Sequence, residues 1–289
     1  MRIEAKGLNY VYSEKSKALA VHALKDINLT VEEGEFFGII GHTGSGKSTF
    51  IQHLNGLIKI GKDKGSLNIG EFDLTDKKCD FKGLRAKVGM VFQYPEYQLF
   101  AETVKEDVAF ALKNFYPDLK QQEIDDRVRV AIETVGLNYE RVKDKSPFEL
   151  SGGQKRRVAI AGVIVARPEV LVLDEPVAGL DPKGKQDFID LLHHLHGRVV
   201  KTIIIVSHDM DTVAEHCDRV AVFAQGEIIK VGTPKEIFSD LEKMRSQGLL
   251  LPVTAQITGV LKQNGIDCDN DFTIDGFVNA VAKKLGGKG

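Results

Sequence analysis

The chain has 289 residues, enough for one large or two modest domains with a real core and no need of a covalent staple. Its 39 basic and 41 acidic side chains nearly cancel to a formal charge of −2, so no global field favours a polyanion such as nucleic acid. Cys79, Cys217 and Cys268 are odd in number and lack metal-ligand spacing; the first residues lack an apolar signal core and no uninterrupted run approaches the roughly 20 residues that span a bilayer, so a soluble cytoplasmic chain with packing thiols is expected.

Residues 3–12 and 28–31 alternate apolar and polar side chains, which predicts strands of a sheet with one wet face. Glu33 and Gly34 turn the chain into the apolar run 36–40, a buried strand. Directly after it come Gly41, His42, Thr43, Gly44, Ser45, Gly46, Lys47, Ser48 and Thr49, opening a helix over 47–57. A phosphate-binding loop requires this strand-to-helix context. The three glycines let successive N–H groups wrap a phosphate chain, and the helix adds its positive end. Lys47 supplies a point charge for the β- and γ-phosphates, Ser48 a short hydroxyl for Mg²⁺, and Thr49 a neighbour for the terminal or α-phosphate.

Residues 87–92 predict another apolar strand, ending at Gln93. From about 95 to 162 the texture is mostly helical, with helical spacing over 102–115, 119–135 and 152–166, which predicts an inserted helical subdomain. Leu150, Ser151, Gly152, Gly153 and Gln154 place a hydroxyl and two unobstructed N–H groups where the last of these helices starts. That is a second anion site, although an ordinary serine cap followed by glycines has the same sequence.

The runs 170–174 and 202–206 are continuously apolar, as in strands covered on both faces, and a helix over 182–195 links them into a parallel sheet. Asp174 and Glu175 close the first run with adjacent carboxylates that face different directions. One suits a metal ion and the other a water attacking the γ-phosphate. Residues 219–224 and 227–231 flank Gln225 and Gly226 as a hairpin, and Thr233 with Pro234 has the cap chemistry of a new helix. A nucleotide-binding domain over 1–239 and a helical appendage over 240–289 are expected.

Taken together, the motifs from residue 10 to residue 233 resemble, in order and spacing, the ATP-binding subunits of ABC proteins. The resemblance implies an α/β fold: a P-loop NTPase (RecA-like) core, an antiparallel β subdomain and a helical signature-motif subdomain. It implies that Tyr12 stacks on adenine, with Tyr10 as the rival, that Gln93 lies near Mg²⁺ and the membrane partner, and that residues 150–154 are the signature motif. Asp181 resembles the D-loop aspartate, and His208 the switch histidine that contacts the γ-phosphate. The implied catalytic set is Glu175, His208 and Gln93. The resemblance implies that ATP is held by Tyr12, residues 41–49, Ser151, Gly152, Gly153, Gln154 and Asp181, and Mg²⁺ by Ser48, Gln93 and Asp174. In that family two subunits meet head to tail, each ATP lying between one phosphate loop and the other subunit's signature motif, so hydrolysis requires a dimer.

Residues 92–100, residues 154–162 and the short C-terminal tail are similar to the energy-coupling factor group, whose ATPases drive uptake of vitamins or of cobalt and nickel ions. Tyr94, Pro95, Glu96, Tyr97 and Gln98 are more similar to the second of its two non-identical ATPases. The implied partners are a second ABC ATPase (a sister chain or a second copy), an integral-membrane coupling scaffold and a substrate-binding membrane subunit, with the chain peripheral on the cytoplasmic face. A soluble ABC-type ATPase of DNA repair or of the ribosome would share the nucleotide chemistry. The interval between loop and signature motif, however, lacks the long heptad arms of the first, and the chain has one cassette where the second has two. Lys155, Arg156 and Arg157 read as a solvated face or ion pairs and not as a nucleic-acid track. His193, His194 and His196 lack the i, i+4 pair of a helical zinc site.

Overall fold

Two sheets organise the chain in a computed structural model that describes residues 1–12, 20–239, 250–268 and 271–286. The first is antiparallel, in the order β2-β1-β4-β5, from β1 (Ile3–Tyr12), β2 (Val21–Val31), β4 (Ser66–Ile69) and β5 (Phe72–Asp73). The second runs β10-β9-β3-β8-β7-β6, from β3 (Phe36–Gly41), β6 (Val88–Val91), β7 (Val170–Asp174), β8 (Thr202–Val206), β9 (Arg219–Ala224) and β10 (Glu227–Gly232). Its strands pair in parallel except at the edge, where β10 folds back antiparallel on β9.

The continuous apolar runs are explained by burial on both faces. In β7, Leu171 and Leu173 enter one core while Val170 and Val172 enter the other, and in β8 Ile203 and Ile205 part in the same way from Ile204 and Val206. Alternate side chains of a strand point to opposite faces, so each strand feeds two cores. The helices α1 (Lys47–Leu54), α2 (Phe81–Lys87), α3 (Val104–Phe115), α4 (Gln121–Thr134), α5 (Tyr139–Val142), α6 (Gly152–Ile164), α7 (Pro182–Leu195), α8 (Met210–His216) and α9 (Pro234–Phe238) complete the body. Val108, Val128, Ile132 and Ile160, all fully buried, draw α3, α4 and α6 together as part of the larger core.

The structure differs from the sequence reading where local signals are weak. Strand β2 begins at Val21, seven residues before the expected start. Irregular register with β1 and a left-handed Asp26 (φ 47°) interrupt the period-two pattern that would have revealed it. The strands β4 and β5, of four and two residues, are too short to carry a period. Helix α1 stops at Leu54 instead of residue 57, because Gly56 adopts a left-handed φ of 68°. Helix α2 was not anticipated; its start is fixed by the Asp80 carboxylate accepting from the Lys82 and Gly83 N–H groups.

After α9 the described chain continues as two helices, Val253–Gln263 and Ile274–Gly286. Leu251, Ala255 and Phe272 belong to the larger core. The N–H of Val253 donates to Asp211 at 2.8 Å, and that of Ile274 to the Glu215 carboxylate, so both appendage helices start against α8. No helix among the described residues is long and apolar enough to cross a membrane.

Candidate functional site

Because β3, β6, β7 and β8 are parallel, everything that leaves their carboxyl ends emerges on one edge of the sheet, where open α/β sheets place their ligands. There a cavity of about 400 Å³ is lined by Thr43, Gly44, Gly46, Lys47, Ser48 and Thr49 after β3 and by Gln93 after β6. Asp174 and Glu175 line it from β7, His208 from β8 and Tyr12 from the end of β1. Gly41, His42 and Ser45 belong to the same loop but do not line the cavity.

The loop is held by close packing that only glycine permits. A Cβ on Gly46 (φ 105°) would lie 2.5 Å from the Ala23 carbonyl oxygen, and one on Gly41 would lie 2.4 Å from that of Phe223. Lys47 is buried, and its Nζ donates to the carbonyls of Gly41 (2.7 Å) and His42 (3.0 Å). Burial pushes its ammonium group down, against the attraction of the Glu175 and Asp174 carboxylates. Burial likewise pushes the Asp174 carboxyl up, opposed by a hydrogen bond from the Ser48 hydroxyl. A buried cation satisfied only by its own loop, beside carboxylates that a second cation would relieve, fits a Mg²⁺-bound phosphate chain.

Glu175 adopts a left-handed backbone (φ 48°), unusual for a residue with a side chain, and its N–H donates to the Val206 carbonyl at 2.9 Å. Its carboxylate lies 2.7 Å from His208 Nδ1. The Tyr12 hydroxyl is 3.3 Å from Thr49 Oγ1, and Tyr12 is exposed at the cavity. Tyr10 lies behind it, half-buried and edge-on to both Tyr12 (4.8 Å) and His53 (5.0 Å).

The ABC transporter family model matches residues 24–178, slightly more than half of the chain. The chain belongs to the ABC transporter family. An energy-coupling factor transporter ATP-binding protein, EcfA2 of Caldanaerobacter subterraneus subsp. tengcongensis, is 46% identical over 288 residues, covering 99% of each chain. The solved structure of cbiO1 from Clostridium perfringens, part of the ABC transporter complex cbiONQ, is 40% identical. It covers 89% of this chain and 98% of its own, with a TM-score of 0.74. A dimeric bacterial ATP-binding cassette in a post-hydrolysis state, bound to ADP and Pi, is 30% identical over 80% of this chain and 98% of its own, with a TM-score of 0.70. The P-loop core with its antiparallel β subdomain is therefore the fold of an ABC ATPase.

In this ABC ATPase Ser151, Gly152, Gly153 and Gln154 stand outside the cavity. Ser151 caps α6, its hydroxyl accepting from the Gln154 N–H (3.3 Å) while the Gln154 side chain accepts from the Ser151 N–H (3.1 Å). Ser151, Gly152 and Gly153 are exposed, and nothing lies within 4 Å of a Cβ built on either glycine. Asp181 is also exposed and caps α7, accepting from the Gly184 N–H at 2.7 Å.

Of the two readings of Lys155, Arg156 and Arg157, a solvated face or ion pairs, Arg156 takes the second. Arg156 is buried against Glu96, and Arg157 donates to the Val135 carbonyl at 2.6 Å. The helical phase of Arg156 with the buried Ala159 and Ile160 was the available signal. Of the histidines, His193 bonds to His216 (3.0 Å), His194 to Arg198 (3.0 Å) and His196 to the Gly34 carbonyl (2.8 Å).

Proposed function

We propose that this chain is the ATP-hydrolysing subunit of an energy-coupling factor importer, acting as one half of an ATPase pair on the cytoplasmic face of a membrane. One observation carries the reading. The phosphate loop, Asp174, Glu175 and His208 share a cavity, while Ser151, Gly152 and Gly153 present an open helix start elsewhere on the surface. Each chain thus offers both halves of a nucleotide sandwich, one to each of the two composite sites it shares with a single partner subunit.

In this reading the loop N–H groups and Lys47 take the β- and γ-phosphates, and Tyr12 stacks on the adenine. Ser48, Asp174 and Gln93 offer the oxygen donors that Mg²⁺ prefers, and the ion, when bound, offsets phosphate charge during hydrolysis. Glu175 orients the attacking water and accepts its proton, and His208 holds that carboxylate in place. The partner subunit's signature motif closes over the γ-phosphate with a hydroxyl and helix-start N–H groups. His42, Thr43, Ser45 and Thr49 complete the cradle, and Asp181 faces the partner across the shared boundary.

The full-length likeness to an EcfA2 and to a member of cbiONQ supports a transporter role over a repair or ribosomal one. Partners are a second ABC ATPase, an integral-membrane scaffold and a membrane subunit that captures the solute. Purification of the tagged chain from membranes tests this. A small integral-membrane protein and a second ATPase in the eluate are expected; recovery with ribosomes or DNA, and not with membrane protein, overturns it.

A further inference from the structure

Strands β6 and β7 run side by side in parallel, with Val91 opposite Leu173. Just beyond the end of each, the chain turns through a residue in the left-handed region: Tyr94 (φ 56°) after β6 and Glu175 (φ 48°) after β7. From Tyr94 it enters the single turn Pro95–Gln98, and from Glu175 the loop 176–181. Arg156 reaches up from α6 and joins the two. Its Nε and Nη2 each donate to the Glu96 carboxylate at 3.2 Å. On the other side Nη1 donates to the Pro176 carbonyl at 3.0 Å, and both Nη atoms donate to that of Ala178 at 3.4–3.5 Å.

We infer that Arg156 is a positioning residue, a clamp that fixes the loop carrying Glu175 relative to the segment after Gln93, so that displacement of Glu96 shifts the general base. The inference rests on the proposed role of Glu175. Arg156 is only 5% exposed, and Glu96 is its one carboxylate partner among the described residues. A buried guanidinium cannot release its counter-charge without leaving an unpaired ion, so the two move together. The fork is planar and rigid, so its carbonyl-facing edge must follow its carboxylate-facing edge. The carbonyls it holds belong to the first and third residues after Glu175, and the Ala178 N–H closes back on the Glu175 carbonyl at 3.2 Å. Tyr94 lies near the same loop, since a Cβ built on Gly179 would be 3.6 Å from its ring. The Pro95–Gln98 turn is open to the outside through Tyr97, which is 84% exposed, so a force applied there has a short path to the catalytic loop.

The test uses the full-length chain with Arg156→Met, Arg156→Lys and Glu96→Gln, and Glu175→Gln as the control for the base, reading ATPase kcat and KM together with amide hydrogen exchange over residues 175–181. A clamp predicts that Arg156→Met lowers kcat about tenfold or more with KM nearly unchanged, since misplacement of a base by an ångström is costly. It also predicts that exchange over 175–181 rises several-fold while α1 is unaffected. Glu96→Gln should raise exchange in the same loop although it lies in another segment, and Arg156→Lys, which keeps the charge without the fork, should fall between wild type and Arg156→Met. Unaltered exchange over 175–181 in both Arg156→Met and Glu96→Gln overturns the inference, as does a lowered melting temperature with normal kcat. If Arg156→Met fails to fold, Glu96→Gln decides through the exchange measurement. Loss of hydrolysis in none of the variants, Glu175→Gln included, would instead refute the assigned base, and the exchange result would still judge the clamp.

Discussion

His208 Nδ1 lies 2.7 Å from the Glu175 carboxylate, joining the ends of the neighbouring strands β8 and β7. The carboxylate is 15% exposed and the imidazole 66%, so the histidine sits at the mouth of the site and the glutamate inside it. A general base, the role proposed for Glu175, needs both a fixed direction and a route to water, and this geometry suits that role.

Glu175→Gln should therefore retain Mg·ATP binding while hydrolysis falls by roughly 10²–10⁴, the usual worth of general-base help. Nucleotide binding and single-turnover hydrolysis measured on the same preparation check this; near-normal turnover would remove Glu175 from the role.

The adenine assignment separates two tyrosines two residues apart. Tyr12 faces the cavity and Tyr10 packs behind it against His53, so Tyr12→Ala should weaken ATP and GTP binding alike, by about 1–3 kcal/mol as for base stacking, and Tyr12→Phe should be mild. Equilibrium titration with both nucleotides tests it. A larger loss in Tyr10→Ala would transfer the assignment.

The shared-site arrangement makes a prediction that no single variant can meet. Lys47→Ala should cost nucleotide affinity by about 1.5–3 kcal/mol through loss of a charged hydrogen-bond donor, whereas Ser151→Arg should bind ATP but fail to close a dimer. Each should be inactive alone. In the mixed dimer both lesions fall in one composite site and leave the other intact, so ATPase activity should recover in part on mixing and rise with concentration. Concentration-independent activity of Ser151→Arg alone would exclude the sandwich.

The N-terminal ammonium group and Lys201 both contact Glu33, at 2.9 and 2.8 Å, and the hydrogen bond from Lys201 leads in lowering its carboxyl from 4.5 to about 2. A depressed carboxyl stabilises the fold above its ordinary value, and that stabilisation is lost as pH falls through the folded value. Glu33→Gln should therefore melt slightly below wild type near neutral pH, with the difference shrinking below pH 4.5 and vanishing near about pH 2. Thermal melts across that range test the sign. A difference that grows in acid would contradict the assignment.

The phosphate loop, the paired carboxylates after β7 and the capped glycines before α6 were legible in the sequence because each is a local device. Strand-to-helix turns, strand ends and helix caps are set by residues within a few positions of one another, and the apolar runs of β3, β7 and β8 mark strands buried on both faces. Tertiary structure alone decided what those devices meet. Gln93, Asp174 and His208 line one cavity because three parallel strands end on the same edge, and pairing order is written in no local pattern. The same holds for Arg156, whose sequence neighbours look like a solvated basic face. Its partners Glu96, Pro176 and Ala178 lie 60 residues before it and 20 and 22 after it, and a charge can be buried there only because folding delivers all three to the guanidinium at once.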